Sequence, residues 1–291
     1  MVRAEAQWDV EGLDWPNRAA SRFVTAQGFT WHVQTMGAGP DLLMLHGTAA
    51  ATHSWRTLAP LLAKTFRVVA LDLPGHGFTQ APPKGAYALP QIAGAVAVLL
   101  AQLAVQPSFV VGHSAGAAIA VRMSLDGSIT PHKIISLNGA LMPFPGAAAL
   151  VFPALAKLLF LNPFAAPILA WRGSDPVSVA RLIEGTGSNL DAEGLGLYAR
   201  LFATRRHVSA AVGMMANWDL SALKRELPNL SVPLTLVAAE RDRAVPPGDA
   251  RAIAAMLPDA TVLPVRNYGH LAHEEAPGLF ADLIAAQAVP A

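Results

Sequence analysis

The sequence predicts an α/β protein built on a mostly parallel sheet with helices on both faces. Short apolar runs alternate with helical patterns along the chain. These runs are apolar along their whole length, which is typical of parallel strands that are buried on both faces. A regular alternation of strand and helix favours βαβ units over separate α and β regions. No internal repeat or low-complexity linker divides the chain.

The elements follow from apolar periodicity and from the turn residues between them. Strands are predicted over Phe29–Thr35, Leu42–Leu45, Arg67–Leu71, Phe109–Gly112, Lys133–Leu137, Leu234–Ala238 and Thr261–Val265. Helices are predicted over Ser54–Lys64, Leu89–Leu103, Ala115–Leu125, Ala250–Leu257 and Leu279–Ala286. Several of these strands end at glycine or at a polar residue. Functional side chains are therefore expected at the carboxyl edge of the sheet, where such strand ends meet.

Composition excludes several classes of function. The net charge of +1 gives no basic footprint for nucleic acid. The absence of cysteine excludes disulfides, thiolate nucleophiles and cysteine metal sites, and the scattered histidines show no pairing typical of a metal site. No cofactor is therefore expected. Acids and tryptophans interrupt the first residues where a signal peptide needs an apolar run, so a cytoplasmic protein is expected.

The stretch "VVGHSAGA" places Ser114 between an apolar strand and a helix of small residues. A serine in such a tight strand-to-helix turn presents its Oγ at the carboxyl edge of the sheet, beside a helix N-terminus. The flanking Gly112 and Gly116 are needed because a Cβ at either position would clash. The alternative interpretation is an ordinary serine at a helix N-cap. The strand before it and the small residues after it favour a nucleophile.

A nucleophilic serine needs a base, and the base needs an acid that orients it. In this architecture the acid and the base should follow in that order, each in a loop after a late strand. Asp242 follows the strand that ends near Ala239, and His270 follows the strand that ends at Val265. The sequence therefore predicts a Ser114–Asp242–His270 triad.

Two rival residues compete for these roles. His273 is the alternative base, but we interpret it as a surface or capping histidine beside Glu274 and Glu275, because a base belongs on a loop. Glu240 is the alternative acid, but it still lies at the strand end. His113, inside the turn, is expected to pack beneath it.

An acyl-transfer serine also needs an oxyanion hole. One donor is expected to be the backbone N–H of Ala115, directly after the nucleophile, and the other the N–H of Thr48 in the loop after an early strand. Gly47 lets the chain turn so that this second amide points inward. The turn-rich "DLPGHG" (72–77) is interpreted as part of the architecture that shapes the site.

Hydrophobic residues make up 53% of the chain, and they are concentrated in residues 142–171, where Lys157 is the only charged residue. Five prolines divide this stretch into pieces too short to cross a bilayer. The sequence instead predicts a helical cap over 142–218, inserted into a core of 1–141 and 219–291. One cap face is expected to line an apolar substrate pocket, and the other is a candidate surface for peripheral contact with a membrane. Predicted pocket residues are Phe144, Leu150, Phe152, Leu158 and Trp171.

The motifs "HGT", "LDLPGHG", "GHSAG", "RDRAVP" and "GHLAHEE", in this order, resemble those of the α/β-hydrolase fold superfamily. That resemblance implies an eight-stranded sheet with a cap, and serine-hydrolase chemistry. Serine at the turn argues against haloalkane dehalogenases and epoxide hydrolases, which use a carboxylate there. The segments "DWPNRAASR" (14–22), "HGTAAATHSWR" (46–56), "LNGALMPF" (137–144), "GTGS" (185–188) and "GMMANWDL" (213–220) are more specifically similar to the magnesium-chelatase accessory proteins of bacteriochlorophyll biosynthesis, the BchO family.

This second resemblance implies a role beside the insertion of magnesium into protoporphyrin, with the chelatase subunits as candidate partners. It names an association with that pathway and not a reaction. The candidate membrane for peripheral contact is the inner or photosynthetic membrane. Three functions follow from the sequence. The first is a hydrolase of an apolar ester-type substrate, such as a porphyrin ester. The second is a non-catalytic porphyrin carrier, and the third is a general lipid or carboxyl esterase.

Overall fold

A computed structural model describes residues 2–143, 157–162, 164–173 and 175–288. Eight strands form one sheet in the order β1-β2-β4-β3-β5-β6-β7-β8. Their bounds are β1 Ser21–Ala26, β2 Phe29–Met36, β3 Asp41–Leu45, β4 Arg67–Leu71, β5 Phe109–His113, β6 Lys133–Leu137, β7 Leu234–Ala239 and β8 Ala260–Val265. The pairs β1–β2 and β2–β4 are antiparallel and the other five are parallel. The α/β fold class and the mostly parallel sheet are confirmed.

Helices cover both faces of this sheet. They are α1 Trp8–Glu11, α2 Leu58–Leu62, α3 Leu89–Gln102, α4 Ala115–Leu125, α5 Ala165–Gly173, α6 Pro176–Gly185, α7 Ala192–Phe202, α8 Arg205–Asn217, α9 Ser221–Glu226, α10 Gly248–Ala254, α11 Ala272–Glu275 and α12 Pro277–Gln287, and residues 157–161 are also helical. One apolar core lies under α3, α4 and α10, and a second lies under α2 and α12. Trp55, Phe109 and Phe280 are fully enclosed there, and burying a side chain of this kind contributes on the order of 1.5–3 kcal/mol.

Two expectations for the first part of the chain were wrong. The edge strand β1 was not predicted, because only Ala26 of its six residues is buried and its sequence has no apolar run. The helix expected over Ser54–Lys64 is a 3₁₀ turn over Thr52–Trp55 and a separate short α2. Pro60 breaks the continuous helix, since it has no N–H for the carbonyl of Arg56 and its ring crowds that group. The side-chain amide of Asn17 donates to this carbonyl instead, at 3.1 Å.

The long connection between β6 and β7 carries α5 to α8, where the sequence predicts the cap. The bounds 142 and 218 of the cap stay a prediction. Among the described residues, no helix has both the length and the apolar character that crossing a bilayer requires.

Candidate active site

Ser114 lies in a strained turn between β5 and α4. Its φ of 51° and ψ of −117° place a non-glycine residue in a region that L-amino acids rarely adopt. The turn is tight: a Cβ on Gly116 would lie 2.0 Å from the carbonyl oxygen of Leu45, and one on Gly112 would lie 2.5 Å from the backbone of Ala117. Both glycines are therefore required, and the half-buried Ser114 is held at the carboxyl end of β5.

His270 and Asp242 meet at the same edge of the sheet. Nδ1 of His270 donates to Oδ2 of Asp242 at 2.8 Å, and both residues are buried. The other carboxylate oxygen accepts from the backbone N–H groups of Ala244 and Val245 at 2.8 and 2.9 Å. This geometry fixes the tautomer, because the proton on Nδ1 leaves Nε2 with a lone pair. The histidine is thereby prepared to accept a proton.

The loop that carries His270 is tied to β6 and β5. The carbonyl oxygen of His270 accepts from the side-chain amide of Asn138 and from Nε2 of His113, each at 2.9 Å. Asn138 also accepts from the N–H of Ala239, at 2.8 Å, and so links the loop to β7. His113 packs beneath the turn of Ser114, with its ring centroid 4.7 Å from that of His270. The hydroxyl of Ser114 makes no hydrogen bond to a described residue, and such contacts often tighten only when substrate binds.

The loop after β3 approaches Ser114 closely. A Cβ on Gly47 would lie 3.0 Å from that of Ser114, so only glycine lets the two segments come together. The backbone N–H groups of Thr48 and Ala115 have no acceptor among the described residues. Two free amides beside a serine are what a developing oxyanion needs.

A histidine of α8 supports this loop, and the sequence did not suggest it. His207 on α8 is fully buried, and its Nε2 donates to the carbonyl oxygen of Ala49 at 3.1 Å. Its Nδ1 accepts from the N–H of Gly77 at 3.1 Å. Ala49 has a φ of 65°, so the loop is strained at the point where His207 holds it. Burial lowers the pKa of His207 to about 3, which keeps this ring neutral.

The rival residues occupy other places. Glu240 is exposed and lies 3.7 Å from Arg266, so it is not the carboxylate that His270 contacts. The expectation that His273 lies at the surface was wrong. It is 1% exposed, and its ring lies 4.7 Å from that of Trp55 and 4.4 Å from that of His113. It is buried because residues far along the chain enclose it, despite two glutamates beside it in sequence.

The predicted pocket residues fall into two groups. Phe144, Leu150 and Phe152 lie outside the described residues. Leu158 and Trp171 are 67% and 69% exposed, so neither is enclosed above Ser114. Successive residues of a helix are rotated by about 100°, so Leu158 and Phe160 lie about 200° apart and face nearly opposite sides. Phe160 indeed packs against Tyr87, with ring centroids 6.0 Å apart.

A small cleft lies between residues 159–166 and α8. Its volume is about 120 Å³, and it is lined by Leu159, Phe160, Asn162, Ala165, Ala166, Ser209 and Val212. Pockets for drug-sized ligands usually measure about 300–1,000 Å³. This cleft is smaller than such pockets, and none of the predicted triad residues lines it. No group of three or more metal-ligating side chains occurs in the described ranges.

Comparisons with known proteins agree with this architecture. The model of the α/β hydrolase fold family matches residues 40–277. The chain is 38% identical, over 90% of its length and 92% of the relative, to the magnesium-chelatase 30 kDa subunit of Rhodobacter capsulatus. It is 26% identical, over 87% of its length and 91% of the relative, to an uncharacterized hydrolase of Bacillus subtilis. The solved structure of the epoxide hydrolase CorEH superposes with a TM-score of 0.77 at 22% identity, covering 91% of this chain and 97% of that one, which is a likeness of fold.

Proposed function

Because this chain belongs to the α/β-hydrolase fold family, we propose that it is a serine hydrolase that cleaves an ester-type bond of an apolar substrate. The observation that carries this proposal is the 2.8 Å contact of His270 with Asp242, at the sheet edge where the strained turn presents Ser114. The backbone N–H groups of Thr48 and Ala115, which have no acceptor among the described residues, are a third feature. The three features together support acyl transfer.

The proposed mechanism has two halves. Nε2 of His270 takes the hydroxyl proton as Oγ of Ser114 attacks the substrate carbonyl, and Asp242 stabilises the imidazolium. The N–H groups of Thr48 and Ala115 donate to the oxyanion. His270 then gives its proton to the leaving alcohol, and an acyl-enzyme remains. In the second half a water attacks the acyl carbon, its proton passes to His270, and the acid leaves as Ser114 recovers its hydroxyl.

The relative from Rhodobacter capsulatus supports a substrate class and partners. Its name places it with magnesium chelatase, and the matched region covers nearly the whole of both chains. We therefore propose that the substrate belongs to porphyrin metabolism and that chelatase subunits are partners. A porphyrin ester fits an apolar molecule with a carbonyl group for Ser114.

The same relative favours a second candidate, a non-catalytic porphyrin carrier that works beside the chelatase. A Ser114→Ala variant separates the two, since it removes the nucleophile and leaves the cap unchanged. In a phototrophic bacterium whose own copy is deleted, the hydrolase proposal expects that this variant fails to restore pigment synthesis. Restoration to the wild-type level would instead support the carrier. Ser178→Ala, which changes an exposed serine of α6, is the matched control.

Substrate class is tested in the purified protein. The hydrolase proposal expects turnover of p-nitrophenyl octanoate and release of free acid from protoporphyrin dimethyl ester, both lost in Ser114→Ala. Turnover of the fatty acyl ester alone would favour the third candidate, a general lipid or carboxyl esterase. Turnover that persists in Ser114→Ala would contradict the mechanism.

The outer face of the cap supports a proposed peripheral contact with an anionic membrane. Leu161, Phe164 and Ile168 are 70%, 72% and 55% exposed. Lys157 and Arg172 are exposed at the two ends of this stretch, and the sequence has no acid between 142 and 173. Exposed apolar side chains flanked by cations are typical of helices that lie in a membrane interface.

The contact is tested by co-sedimentation with vesicles. Vesicles that contain phosphatidylglycerol should retain the wild-type protein more strongly than phosphatidylcholine vesicles. The double change Phe164→Ser and Ile168→Ser should abolish this difference. Leu13→Ser, at an exposed apolar residue outside the cap, is the control. If the double variant and the wild-type protein were retained equally by the phosphatidylglycerol vesicles, the contact would be refuted.

A further inference from the structure

The cap turn 185–188 lies between the loop that carries Asp242 and the loop that carries His270. The carbonyl oxygen of Thr186 accepts from the N–H of His270 at 3.3 Å and from the N–H of Arg243 at 3.1 Å. One cap carbonyl therefore contacts the base itself and the residue directly after the acid. This turn has the sequence "GTGS", which has no part in the proposed mechanism.

Two glycines make this contact close. Gly187 has a φ of 86°, and a Cβ on it would lie 2.0 Å from the carbonyl oxygen of Arg241. A Cβ on Gly269, directly before the base, would lie 2.2 Å from the carbonyl carbon of Gly187. The backbone of the turn thus touches both loops with no side chain between them. Only glycine permits this approach from either side.

Side chains extend the contact beyond the turn. Oγ of the buried Ser188 accepts from the N–H of Leu271 at 2.7 Å. Leu271 packs in an apolar cluster whose cap members include Val179, Ile183 and Tyr198. The residue directly after the base is therefore held by the cap through its backbone and through its side chain.

We propose that the turn 185–188 is a positioning element, which sets the distance and orientation between His270 and Asp242 from the cap side. This proposal rests on the proposed function, since it assigns the turn a part in the same triad. Ser188 is the positioning residue that a substitution can probe most cleanly, because Ser188→Ala removes one acceptor and adds no atoms. A displacement of about 1 Å in a catalytic group costs up to about a hundredfold in rate.

The matched control is Thr204→Ala. Thr204 is another buried cap hydroxyl, but it donates to the carbonyl oxygen of Arg200, and no hydrogen bond joins it to the described residues of either triad loop. Ser188→Thr keeps the acceptor and serves as the conservative rescue. Gly187→Ala is a second probe, because its Cβ would push the acid-bearing loop directly.

The first measurement is the rate at which a small fluorophosphonate labels Ser114, taken well below the melting temperature of each variant. Ser188→Ala should label about tenfold more slowly, Thr204→Ala at the wild-type rate, and Ser188→Thr at a rate near wild type. Hydrogen exchange at the Leu271 amide should be faster in Ser188→Ala alone. Wild-type labelling of Ser188→Ala would overturn the proposal, even if its melting temperature fell.

The second measurement does not depend on hydrolase activity. The proton that His270 donates to Asp242 is observable as a downfield NMR resonance. It should shift or broaden in Ser188→Ala and persist in Thr204→Ala. An unchanged resonance in Ser188→Ala would overturn the positioning role. A wild-type protein that never reacts at Ser114 would instead refute the proposed function, and this resonance would still decide the role of the turn.

Discussion

Acid should destabilise this protein strongly, because two enclosed histidines cannot accept a proton while it is folded. His207 and His273 are 0% and 1% exposed, and burial lowers the pKa of each from 6.5 to about 3. Nδ1 of His207 accepts from the N–H of Gly77, so a proton on this nitrogen would face a donor. In the unfolded chain both rings are free to protonate. Stability is therefore fully present above pH 6.5 and is lost as the pH falls from 6.5 toward 3.

The size of the loss follows from these values. At pH 5 the unfolded chain holds nearly one more proton per histidine than the folded chain. At 1.36 kcal/mol per pKa unit, each histidine costs about 2 kcal/mol at that pH, and the pair costs about 4 kcal/mol. Native domains are stable by only about 5–15 kcal/mol, so this is a large fraction.

Urea unfolding followed by tryptophan fluorescence measures the effect between pH 7.5 and 5. His207 and His273 together should lower the wild-type free energy of unfolding by about 4 kcal/mol over this range. His207→Gln keeps a donor and an acceptor but cannot take up a proton, so its loss should be smaller by about 2 kcal/mol. His132→Gln, at an exposed histidine, controls for the substitution itself. Equal pH dependence in His207→Gln and wild type would refute the reasoning.

Three further changes test the site and its supports. Asp242→Asn should lower kcat by about 10³- to 10⁴-fold in ester hydrolysis, because the amide favours the wrong tautomer of His270; a loss below tenfold would contradict this role. Gly116→Ala should abolish fluorophosphonate labelling of Ser114, since its Cβ would lie 2.0 Å from a carbonyl oxygen of β3, and labelling at the wild-type rate would refute the turn geometry. Tyr198→Phe removes a donor from the buried carboxylate of Glu274 and should cost about 1–3 kcal/mol in urea unfolding, whereas an unchanged midpoint would show that this hydrogen bond adds nothing.

Sequence reasoning succeeded where the chemistry is tied to strand ends. Ser114, Asp242 and His270 each follow an apolar strand, and parallel strands bring their carboxyl ends to one edge. Local signals therefore sufficed to predict the α/β fold and the contact of His270 with Asp242. The catalytic role of Ser114 stays a prediction. The edge strand β1 was not predicted because most of its residues are exposed or half-buried and its sequence has no apolar run.

Sequence reasoning failed where contacts join residues far apart in the chain. His273 was expected at the surface from its neighbours, yet Trp55, 218 positions earlier, helps to enclose it. The sequence also could not predict which face of the helix at residues 157–161 points inward. This stretch is almost wholly apolar, so no periodicity distinguishes the exposed Leu158 from the half-buried Phe160. The contacts of His207 with Ala49 and of Ser188 with Leu271 are likewise decided by tertiary packing.

Ser114 is proposed to be an activated nucleophile, and intact-mass analysis after exposure to a fluorophosphonate tests this role. One adduct is expected on the wild-type protein and none on Ser114→Ala. Such a result requires the serine, the base and the oxyanion amides to be assembled together. Folded wild-type protein that forms no adduct, with detergent present to open the cap, would contradict the account and leave porphyrin binding as the function to pursue.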